Sequence, residues 1–233
     1  MPGLANIKKK RAEIAERRRL HPYTVLLCSE LTLIVLYPFL ATAVLGDEFF
    51  RLLAVIVFLT ALYAVKGRGR ITTIALILGA PAICLRLVNI VEHRELVRVP
   101  DEISGLLFLI FVTAVLVTSI VSNPSVTADT LAGAVSAYLL IGITFGLAYL
   151  TIESLLPGSF RDTVQPGKRF SPADFTFFSF VTLTTVGYGD IVPWGPHART
   201  LAIIESVLGI MYPAVLISRL VGLHGGKREK NDS

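Results

Sequence analysis

Long apolar runs separated by short polar segments dominate the pattern of this chain. A helix needs roughly 20 apolar residues to cross a bilayer. Six runs reach or approach that length, at about 23–45, 49–65, 71–91, 103–121, 130–152 and 200–222. A seventh run, 172–183, has only 12 residues, a length more typical of a re-entrant segment than of a span. The pattern predicts an all-α membrane protein with six transmembrane helices and one short re-entrant helix.

The composition and the distribution of charge agree with this prediction. The chain is 53% hydrophobic with a mean hydropathy of +0.68, which is too apolar for a soluble domain. With the amino end inside, 14 of the 22 lysines and arginines fall on the inner side, seven fall on the outer side, and Arg86 lies within the third span. This is the positive-inside pattern. We therefore expect a plasma-membrane protein in contact with lipid, with both termini cytoplasmic and no nucleic-acid partner.

Polar segments divide the chain into two units. A polar stretch at 92–102 is expected to separate the third and fourth spans, and "SNPSVTAD" at 122–129 combines a helix-stop with a helix-start signal. The basic lead is expected to form a surface helix or an arm on the lipid headgroups. The predicted divisions are a cytoplasmic lead at 1–22, four peripheral helices at 23–121, a linker at 122–129, a two-span unit at 130–222 and a cytoplasmic tail at 223–233.

The second unit contains a capped short helix followed by a glycine-containing loop. In "SPAD", Ser171 is placed to cap the helix and Pro172 to occupy its first turn, while Asp174 favours the positive end of the helix dipole. The following stretch, 185–189, is non-helical by composition. Within a membrane, such backbone survives only where protein buries it or where it lines a water-filled path. We therefore expect this loop to line a path for ions.

Residues 184–190, "TTVGYGD", resemble the selectivity filter of potassium channels. The TVGYG loop is itself the standard example of a carbonyl-lined filter, so the preference for K⁺ is inferred from the resemblance. With the short helix before the loop and a full span on each side, the chain resembles the prokaryotic six-transmembrane, tetrameric potassium channels of the voltage-gated-like superfamily. The resemblance implies passive K⁺ conduction through a homotetramer, with K⁺ as the permeant ion, no cofactor and no enzymatic activity.

Specific roles follow from the resemblance. The backbone carbonyls of the filter, with the hydroxyl of its threonine, would form stacked K⁺ sites, and the carboxyl end of the helix 172–183 would favour a cation below them. The two glycines would permit the backbone geometry. The implied ion-binding residues are Thr185, Val186, Gly187, Tyr188 and Gly189, and Thr184 and Asp190 are expected to support them from behind.

The chain departs from voltage-gated relatives around the filter. Phe177 and Phe178 occupy the positions of a tryptophan pair in the pore helix, and phenylalanine has no ring N–H to donate to the filter tyrosine and aspartate. Trp194, just after the filter, either substitutes in part for that pair or anchors the chain at the membrane interface.

Three residues of the last span are candidates for gating. Gly209 is either a hinge or a site of close helix packing, and Pro213 removes a backbone donor and should bend the helix. A carboxyl at Glu205 must be paired or protonated in a low-dielectric place. It either contacts a pore-helix hydroxyl such as Thr182 or Thr184, or it forms a pH-sensitive site.

The fourth span argues against ordinary voltage sensing, because residues 103–121 contain no lysine or arginine and a sensor needs several charges. Arg86 is expected to snorkel, to pair with Asp47 or Glu48 or, less favourably, to act as a sensor. Its depth excludes a bridge to Glu30. The opening stimulus remains open among lipid, tension, pH, an unidentified regulatory subunit and constitutive conduction.

Other classes explain the sequence less well. A pore subunit of a potassium transport system would be expected to carry several, more degenerate loops of this kind, and a pH- or lipid-regulated cation channel remains a variant of the same architecture. A membrane enzyme is disfavoured because no histidines, cysteines or paired carboxylates cluster at a suitable depth.

Overall fold

The computed structural model describes residues 21–40, 46–92, 95–122 and 127–229. Most of these residues are helical, and the remainder include one pair of short strands. The basic lead predicted at 1–22 lies, apart from its last two residues, outside the described part of the chain. In chain order the elements are α1 (Pro22–Leu40), α2 (Gly46–Ala64), α3 (Arg70–Glu92), α4 (Glu95–Ser122), α5 (Ala128–Leu155), β1 (Phe160–Asp162), α6 (Pro172–Leu183), β2 (Ile191–Pro193) and α7 (Pro196–Glu229).

Four helices in the described ranges are long and apolar enough to cross a membrane. They are parts of α3, α4, α5 and α7, at Arg70–Ile90, Leu96–Ser122, Ala128–Leu155 and Pro196–Arg219. Helix α1 contributes a shorter apolar stretch, Pro22–Leu36. The chain is therefore a mostly helical integral membrane protein, whereas the count of six spans stays a prediction.

Helices α1 to α4 pack around a core that extends onto α5. Leu26, Phe58 and Phe108 are fully or almost fully buried there, together with Ala137 and Leu140 of α5. The rings of Phe58 and Phe108 lie 5.1 Å apart between their centroids. Because lipid tails are as apolar as these side chains, close packing rather than exclusion of water holds such helices together.

The separation of the two spans falls within the predicted stretch 92–102 but is shorter than expected, because α3 ends at Glu92 and α4 already begins at Glu95 and continues through Pro100. Asp101 and Glu102, assigned to a polar connection, are 4% exposed. The Nε atom of Arg86 donates to Asp101 at 3.1 Å, and Asn89 donates to its other oxygen at 3.0 Å. The expected pairing of Arg86 with Asp47 or Glu48 stays a prediction, because the side chain of Asp47 lies outside the described part of the chain. Helix α4 can bury Asp101 near its start because the neighbouring helix α3 supplies a positive charge, from Arg86, and hydrogen-bond donors to this carboxylate.

Polar contacts join the peripheral helices to α5 at several places, and two of them involve buried carboxyl groups. Near one end, Arg98 and Ser154 both donate to Glu102, at 3.2 and 3.0 Å. Elsewhere, Ser136 of α5 donates to the fully buried Glu30 of α1 at 2.9 Å. Arg98 is the single basic residue of α4, and it is held by its own helix and by α5 rather than repeated at every third position.

Candidate ion-conduction site

Helix α6 has the bounds that the sequence predicted, Pro172–Leu183, and its start is set by a capping box. The backbone N–H of Ser171 donates to Asp174 at 2.8 Å, and the N–H of Asp174 donates to the Ser171 hydroxyl at 3.3 Å. Lys168 adds an ion pair to Asp174 at 2.8 Å. These local contacts satisfy donors that the first turn of a helix leaves free. The orientation of α6 at the membrane is therefore anchored at its amino end.

Two glycines of α5 allow α6 to approach closely. A Cβ atom at Gly142 would lie 2.8 Å from the ring of Phe180, and one at Gly146 would lie 3.0 Å from the Cα atom of Thr176. The spacing Gly142-x-x-x-Gly146 is the small-residue pattern that brings membrane helices together. Any larger residue at either position would push the short helix away from α5.

An aromatic cluster fills the space behind the loop. Tyr149 of α5 meets Phe178 of α6 and Phe160 of β1 edge to face, with centroids 5.0 and 5.4 Å apart, and Phe160 meets Phe175 at 4.8 Å. Edge-to-face pairs of this kind contribute about 0.5–1.5 kcal/mol each beyond their buried area. The cluster gives the short helix a rigid support on its far side.

The strands fix the chain on either side of the loop. Strand β1, before α6, pairs antiparallel with β2, after the loop, so that Phe160 faces Pro193. The backbone N–H of Thr163 donates to the Asp190 carbonyl at 2.8 Å, and the N–H of Trp194 donates to Ser159 at 2.7 Å. The ends of the loop are thus held by the preceding segment, which leaves residues 184–189 as an exposed ribbon.

In the described residues, the first three N–H groups of this ribbon have backbone partners, whereas its carbonyl oxygens have none. The N–H groups of Val186 and Gly187 both donate to the carbonyl of Val181, at 2.9 and 3.3 Å, and the N–H of Thr185 donates to Thr182 at 3.0 Å. In the described part of the chain, no donor contacts the carbonyl oxygens of residues 185–188. Unpaired carbonyl oxygens in a row are the ligands that a dehydrated cation requires.

Alternation of backbone conformation produces this arrangement. Thr185, Gly187 and Gly189 have φ angles of 61°, 60° and 79°, whereas the φ angles of Val186 and Tyr188 between them lie outside the positive range. A positive φ is open to glycine but is an outlier for a β-branched residue. The strain at Thr185, of order 1–3 kcal/mol, is typical of a position maintained for function.

Comparison with known proteins assigns the family. An ion channel family model matches residues 137–223, which contain α6, the ribbon and most of α5 and α7. Protein LctB of Geobacillus stearothermophilus is 37% identical over 127 residues, covering 49% of this chain and 92% of that protein. The inward rectifier potassium channel Kirbac3.1 of Paramagnetospirillum magnetotacticum is 39% identical over 85 residues. This chain belongs to the ion channel family, and potassium channels are among its relatives.

The likeness to the larger channels is confined to part of their length. The matched part is 35% of this chain and 25% of Kirbac3.1, and for the two pore potassium channel c of Oryza sativa, 39% identical over 85 residues, it is 36% and 17%. No solved structure matches the channel. The matched family model covers residues 137–223, and helices α1 to α4 lie outside that range.

The side chains around the predicted filter, residues 185–189, divide differently from the prediction. Phe177 stacks on Tyr188 with parallel rings 6.2 Å apart, whereas Phe178 turns away into the aromatic cluster behind α6. Trp194 lies against Arg161, whose guanidinium is 3.5 Å from the ring centroid, and makes no contact with Tyr188 in the described chain. Of the three aromatic residues proposed to support the filter, only Phe177 touches it.

The two polar residues flanking the filter bond to their own segment. The hydroxyl of Thr184 donates to the Phe180 carbonyl at 2.6 Å, which seals the end of α6. A carboxylate oxygen of Asp190 accepts from the N–H of Ile191 at 2.9 Å. Both residues therefore shape the turns that enter and leave the filter, and their contact with another subunit stays a prediction.

Glu205 contacts a pore-helix hydroxyl, but the residue is Ser179 rather than the predicted Thr182 or Thr184. The other carboxyl oxygen of Glu205 accepts from the Tyr149 hydroxyl of α5, and Glu205 is fully buried. The hydroxyl of Ser179 also lies 2.6 Å from the carbonyl oxygen of Gly142. One carboxyl group thus joins the outer helix, the pore helix and the inner helix of the channel.

Gly209 is a site of close packing, the second of the two predicted alternatives. A Cβ atom there would lie 1.9 Å from the carbonyl oxygen of Leu183, at the end of α6. Pro213 lies inside α7, which continues as helix to Glu229. Next to it, the Tyr212 hydroxyl donates to the Ala134 carbonyl of α5 at 2.8 Å. A hinge at Gly209 and a gate at Pro213 stay predictions.

Sequence reasoning missed several residues that position the filter. Tyr149, Ser179 and Thr163 each contact a partner more than 25 residues away, and no local pattern marks them. The glycine pair at 142 and 146 was detectable, because its four-residue spacing is a recognised signal for close helix packing.

Proposed function

We propose that this channel conducts K⁺ selectively and passively through a pore formed by four identical chains. The observation that carries the proposal is the ribbon of residues 185–188. The N–H groups of residues 185–187 bond back to α6, while the carbonyl oxygens of 185–188 have no partner among the described residues. One ribbon can place carbonyl oxygens on only one side of an ion. A dehydrated ion needs oxygen ligands on all sides, so several ribbons are required. Filters of this kind are built from four such loops.

Exposure of apolar side chains supports assembly. Val186 and Tyr188 are 52% and 72% exposed, and the same holds for Ile203, Ile210 and Ile217 along α7, at 61–65%. Tyr188 carries a hydroxyl and extends beyond the ribbon, so lipid is a poor neighbour for it. Neighbouring copies around a central axis would cover these surfaces, and exposed apolar surfaces of this kind mark interaction sites.

The remaining parts of the proposal concern topology and gating. Six spans, with both termini in the cytoplasm of a plasma membrane, would place the filter at the outer side, and the pore needs no cofactor. Helix α4 contains one arginine, Arg98, which is bonded to Glu102 and Ser154. Moving one charge through 100 mV yields only about 2.3 kcal/mol. We therefore propose that opening does not depend on the usual voltage-sensor movement.

Reconstitution into liposomes tests the proposal. We expect rapid K⁺ efflux down its gradient, little flux when Na⁺ replaces K⁺, and an open fraction that varies weakly between about −100 and +100 mV, since about one charge is available. Equal Na⁺ and K⁺ flux would contradict the selectivity, and transport against the gradient would favour a transport subunit. A purified protein that is monomeric in mild detergent would contradict the pore itself.

A matched pair of glycine substitutions makes the test specific. Gly187 in the filter and Gly167 before α6 both have positive φ angles, 60° and 86°, and neither has an atom within 4 Å of an added Cβ. Alanine carries a comparable backbone penalty at both sites, about 1–2 kcal/mol. We expect Gly187→Ala to lose K⁺ flux or selectivity while Gly167→Ala retains both. Equal effects at the two sites would mean that the filter has no special role.

A further inference from the structure

The hydrogen bonds around the Glu205 carboxyl group can be checked by counting the hydrogen atoms that they require. Three close contacts connect four groups: Tyr149 with Glu205, Ser179 with Glu205, and Ser179 with the carbonyl of Gly142. Each of these contacts, if it is a two-centre hydrogen bond, needs one hydrogen atom of its own between the two oxygens. A carbonyl oxygen supplies none, and a tyrosine or serine hydroxyl supplies one.

The two hydroxyl groups therefore supply two hydrogens for three contacts. If Tyr149 donates to Glu205 and Ser179 donates to Gly142, the contact between Ser179 and Glu205 lacks a hydrogen. An ionised carboxylate only accepts, so it cannot fill that place. Two oxygens facing each other without a hydrogen, in a group that is fully buried, would carry the cost of unsatisfied polar atoms.

We propose that Glu205 is a neutral carboxylic acid in the folded channel, and that its proton is donated to the Ser179 hydroxyl. Tyr149 then donates to the second carboxyl oxygen of Glu205, and Ser179 donates onward to the Gly142 carbonyl. All three contacts then contain a hydrogen atom. Glu205 of α7 donates to Ser179 of α6, which in turn donates to the Gly142 carbonyl of α5. Glu205 acts as a positioning residue, since it contacts the pore helix and not the permeant ion.

Among the described residues, none facing Glu205 carries a positive charge that would favour its ionised form. The titratable side chains facing it are Tyr149 and Tyr138, both on α5. Helix α6 brings Ser179, and within the described residues neither α6 nor the rest of α7 places a lysine, an arginine or another acid against it. A buried carboxyl without a cationic partner is expected to hold its proton.

The proposed proton lies next to the turn of α6 to which the filter backbone is hydrogen-bonded. Ser179 lies one turn before Leu183, whose carbonyl meets Gly209, and Gly209 lies one turn after Glu205. Helices α6 and α7 thus meet at two consecutive turns. At the first turn the proposed proton joins Glu205 to Ser179, and at the second Gly209 contacts the backbone of Leu183. Between these turns lies Val181, whose carbonyl holds two filter N–H groups. Losing the proton would loosen the helix turn to which the filter is bonded.

Infrared difference spectroscopy on the full-length reconstituted channel tests this proposal directly. At neutral pH, the wild type minus Glu205→Gln spectrum should contain the carbonyl stretch of a protonated carboxyl, which shifts in D₂O. Glu153→Gln is the matched control, because both oxygens of Glu153 accept backbone N–H groups, at 2.9 and 3.1 Å. That variant should lose only a carboxylate band. A difference spectrum for Glu205→Gln with only a carboxylate band would overturn the proposal.

Substitutions at the same contact provide a second test. Glutamine offers both a donor and an acceptor, as the neutral acid does, so Glu205→Gln should keep K⁺ flux within about two-fold of the wild type. Ser179→Ala removes the acceptor of the proton, and a buried group left unpaired should lower flux about ten-fold. In that variant the protonated-carboxyl band should persist and move to higher frequency. An unmoved band would contradict donation to Ser179.

The spectroscopic result is separable from the proposed function. A wild-type channel that shows the protonated band but no K⁺-selective flux would leave the proton assignment in place and overturn the conduction proposal. A channel that conducts K⁺ selectively with an ionised Glu205 would support the conduction proposal and overturn the proton assignment.

Discussion

Gly209 of the inner helix lies against the carbonyl of Leu183 at the end of the pore helix, so closely that a Cβ atom would be 1.9 Å from that oxygen. No real Cβ contact is so short, and the opposing atom belongs to the backbone rather than to a flexible side chain. Leu183 is followed directly by the ribbon of residues 184–189 that we propose as the filter. Any enlargement at Gly209 must therefore move the end of the pore helix.

The first prediction is that Gly209→Ala destabilises the assembled channel and lowers K⁺ flux. Overpacking typically costs about 1–3 kcal/mol, and we expect the upper end here, although alanine recovers about 1 kcal/mol through its helix propensity. Thermal unfolding of the purified channel and liposome flux measure the two effects. Unchanged stability together with an altered open probability would instead indicate the hinge.

Gly105→Ala in α4 is the control for this substitution. Its added Cβ would lie 3.2 Å from side-chain atoms of Arg86 and Phe58, and these atoms can yield by a few tenths of an ångström. We expect only a small loss of stability and normal flux. A loss as large as that of Gly209→Ala would mean that the backbone contact at Leu183 is not the cause.

A second prediction concerns the start of the pore helix. Ser171→Ala removes the side-chain acceptor of the capping box, and loss of such a cap costs about 1 kcal/mol. Thermal unfolding should show this loss. Ser206→Ala is the matched control, because the Ser206 hydroxyl bonds only within its own helix, to Ala202 at 2.9 Å. Equal losses in the two variants would argue against a role for the cap.

A third prediction separates the two neighbouring phenylalanines of the pore helix. Phe178 is 6% exposed within the aromatic cluster, whereas Phe177 is 44% exposed and stacks on Tyr188. Phe178→Ala should reduce the free energy of unfolding by about 3–5 kcal/mol. Phe177→Ala removes a ring contact worth about 0.5–1.5 kcal/mol and should lower the K⁺ over Na⁺ flux ratio. The reverse assignment of stability and selectivity would contradict this division.

A fourth prediction concerns the buried pair of Arg86 and Asp101, whose side chains are 9% and 5% exposed. Removing one partner leaves a buried charge, so Arg86→Met or Asp101→Leu alone should each cost about 3–5 kcal/mol. The double variant should recover most of that loss, as measured by thermal unfolding. Additive losses would show that the pair does not interact.

Arg51→Met controls for the loss of any arginine on the same side of the channel. Arg51 lies 4.0 Å from Glu48 and is one quarter exposed, and such a surface pair contributes at most about 1 kcal/mol. Its substitution should leave stability nearly unchanged. None of these variants should introduce voltage dependence, since Arg86 is neutralised by Asp101 rather than placed to move.

Features of the channel that depend on neighbouring residues in the chain were predictable. Ser171, Pro172 and Asp174 lie within four positions, and the pore helix that they start has the predicted bounds. The same holds for the loop at 185–189, whose glycines adopt the positive φ angles that glycine permits. The left-handed conformation of Thr185 was not predictable, because its residue type disfavours it and only the bonds from residues 185–187 back to α6 maintain it.

Features that depend on distant contacts were not predictable. The hydroxyl that meets Glu205 could lie at any of several positions on α6, and helix rotation against α5 selects Ser179 over Thr182 and Thr184. In the same way, Asp101 and Glu102 look like a polar connection until α3 and α5 supply Arg86 and Ser154 to them.

The sequence alone determined that this is a membrane protein of the potassium channel type, because length, hydropathy and a short backbone motif are properties of consecutive residues. Only the tertiary structure decided which buried polar groups meet, which of the two phenylalanines touches the filter, and that Gly209 abuts Leu183. These outcomes depend on how helices rotate and approach one another. The packing of side chains far apart in the chain sets that rotation, and no consecutive segment encodes it.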